Sequence, residues 1–167
     1  TFDMLRANMA ADPLAWQERH LFYLCREHAG VKVPEGQELS GHEQETIALA
    51  LLMLDKAPLA SPIQRSHTCI LAAEMCARLG EPTEARTWYL KAVREWSAWA
   101  EPHYALGVFC HEIGMRQLEE GAPQDVVRSL FNEAIASLLA STVHDAPAYF
   151  VDLTIYSYRR YQALAVA

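Results

Sequence analysis

Apolar residues recur with a helical period through most of the chain. Between residues 82 and 97 they follow the spacing i, i+3, i+4, i+7, i+8, i+11 and comprise Ala85, Trp88, Tyr89, Ala92, Val93 and Trp96. A similar pattern between 123 and 140 comprises Val127, Leu130, Phe131, Ala134, Ile135 and Leu138. Each pattern predicts an amphipathic helix with one buried face. Since no alternating strand pattern of useful length occurs, the chain is predicted to be all-α.

Prolines and glycines divide this pattern into separate helices. Proline is tolerated in the first turn of a helix, because the first N–H groups have no intrahelical partner there. Five prolines occupy such positions: Pro62, Pro82, Pro102, Pro123 and Pro147. Gly30 and Gly80 follow apolar periods, as C-terminal caps do, and residues 40–43 form a capping-box pattern. The predicted helices are 13–29, 41–56, 63–79, 82–97, 102–119, 123–141 and 147–164.

Two parts of the chain repeat each other. The segments "AEPHYALG" at 100–107 and "DAPAYFVD" at 145–152 match in proline, tyrosine and the residues around them. The helices before them share a small or branched residue, an aromatic residue four positions later and an alanine three further on. These are Ala85, Tyr89 and Ala92 in one helix and Val127, Phe131 and Ala134 in the other. A repeated helix pair buries its apolar face by stacking on its neighbours.

This repeat resembles the tetratricopeptide repeat, a helix pair of about 34 residues. Leu106-Gly107 matches the leucine-glycine of the family's first helix, and Ala85, Tyr89 and Ala92 match its second helix. The resemblance implies one domain over 1–167, a right-handed α-solenoid of about three antiparallel helix pairs plus a C-terminal capping helix. Repeats occupy 66–164, and 1–60 is a divergent helix pair or cap. Ala72-Ala73 and Val151-Asp152 depart from the motif where leucine-glycine is expected.

A second stripe of residues on the first helix of each unit lies away from the packing face. It comprises Tyr104, Val108, His111 and Met115 in one unit, Tyr149, Leu153, Tyr156 and Arg160 in the next, and Ile70, Glu74, Ala77 and Arg78 in the one before. In the tetratricopeptide family this side lines a groove that binds a peptide or helix, and tyrosine and arginine are frequent interface anchors. The predicted partner-binding residues are Arg78, Tyr104, His111, Tyr149, Tyr156 and Arg160. The alternative is that a following helix covers the stripe.

Composition narrows the classes of partner. A net charge of −7 and a pI near 5.4 disfavour binding to nucleic acid or to an anionic membrane. No apolar run approaches the roughly 20 residues that span a bilayer, so no membrane insertion is expected. Four scattered cysteines indicate buried thiols in a reducing, cytoplasmic compartment. Because the sequence begins with Thr1 and not with methionine, we expect either an excised domain of a larger protein or a processed protein.

The histidines of the fifth predicted helix, 102–119, do not complete a metal motif. His111-Glu112 begins an HExxH string, but Met115 stands where the second histidine is required. His103, Cys110 and His111 could share one side of the helix, although Cys110 belongs to the packing face with Leu106 and Phe109. No metal, cofactor or catalytic residue is therefore predicted. Trp88 and Trp96 are expected in the core, and Trp99 is expected to clamp the turn before Pro102.

These observations favour a non-catalytic protein–protein interaction module, an adaptor or chaperone that binds a peptide or helix of a protein partner. The first alternative is a structural, assembly or regulatory repeat domain of a larger protein that acts by self-association, for example as a homodimer. The second alternative is a helical metal-binding protein or enzyme that uses His103, His111 and Glu112.

Overall fold

The regular structure is entirely helical in the residues that the computed structural model describes, which are 19–30, 41–56, 60–144, 155 and 159–167. This confirms the all-α prediction. No helix of the described residues combines the length and apolar character needed to cross a bilayer. The helices are α1 (Arg19–Ala29), α2 (His42–Lys56), α3 (Pro62–Arg78), α4 (Pro82–Glu95), α5 (Ala100–Glu119), α6 (Gln124–Thr142) and α7 (Arg160–Val166).

The proline and glycine signals explain where helices begin and end. α3 and α4 both start at the predicted prolines, and a capping box between Ser61 and Gln64 closes the N-terminus of α3. Gly80 ends α3 in the left-handed conformation, with φ at 77°. Pro123 is different: it occupies the N-cap position, and α6 begins at the next residue.

The chain divides into two compact units, Thr1–Glu95 and Trp96–Ala167. In the first unit α1 and α2 form an antiparallel pair. The thiol of Cys25 donates to the carbonyl of Thr46 at 3.6 Å, and the Nδ1 atoms of His28 and His42 lie 2.8 Å apart. One imidazole of that pair donates and the other accepts, so a single proton is shared between the end of α1 and the start of α2.

The third helix connects this pair to the next. α3 contacts α1, α2 and α4. Near the N-terminus of α3, Ser66 donates to the carbonyl of Ala92, and Arg65 makes two hydrogen bonds to the Glu95 carboxylate near the end of α4. These contacts join the start of α3 to the end of α4, so the two helices are antiparallel. The predicted packing face of α3 is buried, as its residues Cys69, Ala72, Ala73 and Cys76 show.

The second unit is built on the antiparallel pair α5 and α6, against which α7 packs. The rings of His103 and His144 stack 5.4 Å apart at one end of the pair, and those of His111 and Phe131 lie 5.7 Å apart further along. The buried apolar residues of the two helices are Leu106, Phe109, Cys110, Val127, Ala134 and Leu138. Ile135, which the periodicity places on the apolar face of α6, is 36% exposed.

The burial of the tryptophans differs in part from the prediction. Trp88 is a core residue as predicted, with 8% of its surface exposed, whereas Trp96 is only half-buried. Trp99, in the turn before α5, has no exposed surface and contacts the ring of Trp96 at 5.8 Å between centroids. α4 ends at Glu95, so Trp96 lies outside the helix whose inward face it was expected to extend.

Gly107 sets how closely α5 and α6 approach. A Cβ at this position would lie 2.6 Å from Leu138 Cγ and 3.1 Å from the Ala134 carbonyl oxygen. Gly107→Ala would ordinarily gain about 1 kcal/mol of helix propensity. Overpacking costs about 1–3 kcal/mol, and Leu138 is fully buried. We expect a net loss of about 1 kcal/mol or more in the free energy of unfolding, measured by urea denaturation.

The control for Gly107→Ala is the same substitution in a Leu138→Ala background. Removing the Leu138 side chain removes the closest clash and leaves only the approach to the Ala134 carbonyl oxygen, so Gly107→Ala should cost clearly less there. An equal loss in both backgrounds would show that Leu138 does not explain the need for glycine.

Candidate functional site

An open cleft of about 420 Å³ lies in the second unit. Its walls come from α5, α6 and the segment that contains α7. The lining residues are Tyr104, Val108, His111, Glu112, Leu138, Arg159, Gln162, Ala163 and Val166. A cavity of this volume lies within the range of ligand-binding clefts.

The α5 wall is made by three residues of the predicted second stripe. Tyr104, Val108 and His111 are spaced i, i+4 and i+7, which places them along one side of a helix. All three are half-buried, whereas Leu106, Phe109 and Cys110 are buried on the packing face. The same helix therefore uses one stripe to pack against α6 and another to line the cleft.

The opposite wall is α7, which lies beside the stripe without filling the space next to it. The Nε2 atom of His111 lies 3.1 Å from the carbonyl oxygen of Val166, so this nitrogen carries the proton and donates it. Gln162, Ala163 and Val166 of α7 face the cleft. The sequence left open whether a later helix covers the stripe; here α7 borders it and leaves a cleft between.

Two adjacent arginines have different roles. Arg160, a predicted partner-binding residue, is only 8% exposed and does not line the cleft. Its guanidinium donates to the carbonyls of Ser141 and His144, both at 2.8 Å, at the C-terminal end of α6. Arg159 is exposed and lines the cleft instead. The arginine that lines the cleft is therefore one position before the predicted one.

The other predicted residues are distributed as follows. Arg78 lies in the first unit, is exposed and donates to the carbonyl of Ala29 at the end of α1 at 3.4 Å. Tyr149 and Tyr156 lie outside the described residues. Met115, the last residue of the α5 stripe, is 40% exposed and does not line the cleft.

Six lining residues were in neither the predicted stripe nor the predicted partner-binding set: Glu112, Leu138, Arg159, Gln162, Ala163 and Val166. Leu138 was assigned to packing by its period, and Glu112 was considered only in the metal-binding alternative. The other four lie near the C-terminal end, where the predicted spacing selected Arg160 alone. No local signal in the sequence brings α7 beside α5. The tyrosine- and arginine-rich composition of "YSYRRYQ" is the one hint that this segment contributes to a surface.

The residues of the possible metal site are not brought together. His103 Nε2 donates to the carbonyl of Ser97 at 2.9 Å, His111 Nε2 donates to Val166, and Cys110 is fully buried. Within the described ranges, no three His, Cys, Asp or Glu side chains are placed to hold a metal ion together.

The thiols are poorly suited to nucleophilic chemistry. All four cysteines are buried thiols that form no disulfide. Burial raises the pKa of Cys25 and of Cys69 to about 12 and that of Cys76 to about 11. Because the thiolate is the nucleophile and the metal ligand, these side chains stay protonated and inert near neutral pH.

Comparison with known proteins gives no relative: no family model, no curated protein and no solved structure matches this chain.

Proposed function

We propose that this chain is a non-catalytic protein-interaction module that binds a peptide or a helix of a partner protein in the cleft of the second unit, as an adaptor or chaperone does. The proposal rests on one observation: residues of the predicted α5 stripe line the cleft. Tyr104, Val108 and His111 were selected by their spacing on a helix, and all three line the cleft.

The lining suits a polypeptide ligand. Val108 and Ala163 offer apolar surface to a side chain, Tyr104 adds an aromatic ring, and the exposed Gln162 adds an amide that can hydrogen-bond to a backbone. Tyrosine provides a large contact area at a low cost in conformational entropy. The volume of about 420 Å³ has room for one or two side chains of a partner, not for a folded domain.

The architecture in this proposal is a right-handed, tetratricopeptide-like solenoid. The support for it is local. α3 and α4 form an antiparallel pair across a short turn, α3 also contacts both helices of the preceding pair, and α5 and α6 form another antiparallel pair. Gly107 allows the close approach of helices that the leucine-glycine motif of the family implies.

Peptide selection tests this function. A random peptide library displayed on phage is selected against the immobilised chain, and the affinity of enriched peptides is measured by fluorescence polarisation. We expect Val108→Lys to weaken binding about tenfold or more, because it places a charged chain in the apolar part of the cleft. The matched control is Val126→Lys on α6, an exposed valine outside the cleft that should leave affinity unchanged.

Two results would contradict the proposal. One is that no peptide is enriched against the wild-type chain. The other is that enriched peptides bind the Val108→Lys and Val126→Lys variants equally well, which would place the binding surface elsewhere.

Self-association is a second candidate, favoured by a row of exposed apolar residues on α6. Ile135, Leu139 and Val143 are spaced i, i+4 and i+8 and are 36%, 49% and 77% exposed. Such a row fits an interface better than a solvated face. Light scattering of the purified chain that gives a dimer mass, and of a Leu139→Lys variant that gives a monomer mass, would support this candidate.

A further inference from the structure

Two histidines meet where α5 begins and α6 ends. The rings of His103 and His144 stack with their centroids 5.4 Å apart and their planes 24° from parallel, and both side chains are half-buried. His103 Nε2 donates to the carbonyl of Ser97, so a further proton on this ring would be added at Nδ1 and would give an imidazolium. The two helices are therefore joined by side chains of the type that gains a charge in mildly acidic solution.

The same end of α6 holds α7. Arg160 Nη1 donates to the carbonyls of Ser141 and His144, both at 2.8 Å. The guanidinium is buried, and an arginine keeps its positive charge at all ordinary pH values. Docking of α7 therefore places a permanent cation beside the pair of imidazoles.

The surroundings of His144 favour its neutral form. Partial burial lowers the pKa of His144, and the positive charges of His103 and Arg160 lower it further. The last turn of α6 carries no ionisable side chain. The other ionisable side chains that the structure describes at this end of the helix pair are Glu101, Arg159 and Tyr161.

Proton uptake by His144 opposes the docking of α7. Because the docked state holds the pKa of His144 below its ordinary value, release of Arg160 lets the imidazole take up a proton more readily. Docking is fully favoured above about pH 6.5, the ordinary pKa of histidine, and is weakened as the pH falls below that value.

We propose that the stacked pair of His103 and His144 is a pH-sensitive latch for α7. In acidic solution the charged pair repels the Arg160 guanidinium, and α7 leaves the end of α6 and takes one wall of the cleft with it. The cleft is then complete near neutral pH and open in acid. The consequence for ligand binding rests on the proposed function, whereas the docking of α7 does not.

Hydrogen exchange of the α7 amides in the full chain tests this latch. Dividing each exchange rate by the rate of an unstructured chain at the same pH gives protection factors, which are compared between about pH 7.5 and about pH 5.5. We expect protection in α7 to fall about threefold in acid, as interactions between partly exposed charges allow. Protection in the middle of α6 should change clearly less, because those amides exchange through a larger opening.

Replacing each histidine with glutamine identifies the sensor. His144→Gln keeps the backbone carbonyl that accepts from Arg160 but gains no charge in acid, so α7 protection should not depend on pH in this variant. His103→Gln keeps a side-chain donor for the Ser97 carbonyl. Its pH response should be smaller than that of the wild type, because a charge that acts on His144 is removed.

Two further variants are controls. His111 contacts α7 directly, but its ring still donates to the Val166 carbonyl when it is protonated, so His111→Gln should keep the pH response of α7. His42→Gln removes an imidazole from the first unit and should also keep this response.

The exchange data decide the latch. A response that His144→Gln loses, that His103→Gln reduces and that both controls keep would establish it. The latch would be overturned by wild-type α7 protection that does not depend on pH. It would also be overturned by a response that His144→Gln retains, that His103→Gln leaves at its wild-type size, or that His111→Gln abolishes.

Peptide affinity at the same two pH values tests the consequence for the cleft. The affinity of a peptide from the phage selection should fall more in acid for the wild type than for His144→Gln. An equal change in both, together with a pH-dependent docking of α7, would overturn the regulation of binding and leave the latch intact. Failure to select any peptide would contradict the proposed function, and hydrogen exchange would still decide the latch.

Discussion

Replacing Trp99 with alanine is expected to lower the free energy of unfolding by about 3–5 kcal/mol, the range observed when large aromatic side chains are removed from a protein core. Trp99 has no exposed surface, and among the residues that the structure describes it is the largest fully buried side chain. Its ring contacts Trp96, and its backbone N–H donates to the carbonyl of Trp96 at 3.3 Å. The substitution therefore leaves a cavity immediately before α5.

Urea denaturation followed by circular dichroism measures this loss without relying on tryptophan fluorescence. The matched control is Trp96→Ala, which removes the same contact between the two rings by deleting the half-buried ring of Trp96. We expect Trp96→Ala to lower the free energy of unfolding by clearly less, because part of the Trp96 ring is exposed to water in the folded protein. Equal losses would mean that the ring contact, and not the burial of Trp99, stabilises the turn.

The helices were predictable because each one carries its own period, caps and prolines. The apolar stripes of α3, α5 and α6 identify buried residues such as Cys69, Leu106 and Ala134. The errors occur where the chain leaves a helix. Trp96 continues the period of α4 in the sequence, but the helix ends at Glu95, so its predicted position on the inward face is not reached.

The candidate site was predictable only in part, because it is made by two segments distant in the chain. The stripe on α5 is a local pattern, and Tyr104 and His111 follow from it. The second wall depends on the contact of His111 with Val166, 55 residues later, which no periodicity encodes. Arg160 was predicted as a partner-binding residue because it continues the spacing of Tyr149, Leu153 and Tyr156. That spacing contains no information about the end of α6, where the Arg160 guanidinium donates to the Ser141 carbonyl.

Replacing Arg160 with alanine is expected to destabilise the second unit by about 2–4 kcal/mol, whereas Arg159→Ala should cost clearly less because the Arg159 side chain is exposed. The carbonyls at the end of a helix lack intrahelical partners and carry the negative end of the helix dipole. Arg160 donates to the Ser141 carbonyl in the last turn of α6 and to the His144 carbonyl just beyond the helix, and its removal leaves both with fewer partners. Arg159 is exposed, and removing it changes the cleft without breaking this cap.

Urea denaturation gives the stability of both variants, and hydrogen exchange of the α7 amides shows whether α7 remains docked. Both carbonyls accept from the same nitrogen of Arg160, Nη1. Arg160→Lys keeps the charge and a donor group, but its ammonium is more strongly hydrated and costs more to bury, so we expect it to recover only part of the loss. In binding assays Arg160→Ala should abolish peptide binding, because the α7 wall is lost. If the two alanine variants proved equally stable, Arg160 would not be the residue that joins α7 to the end of α6.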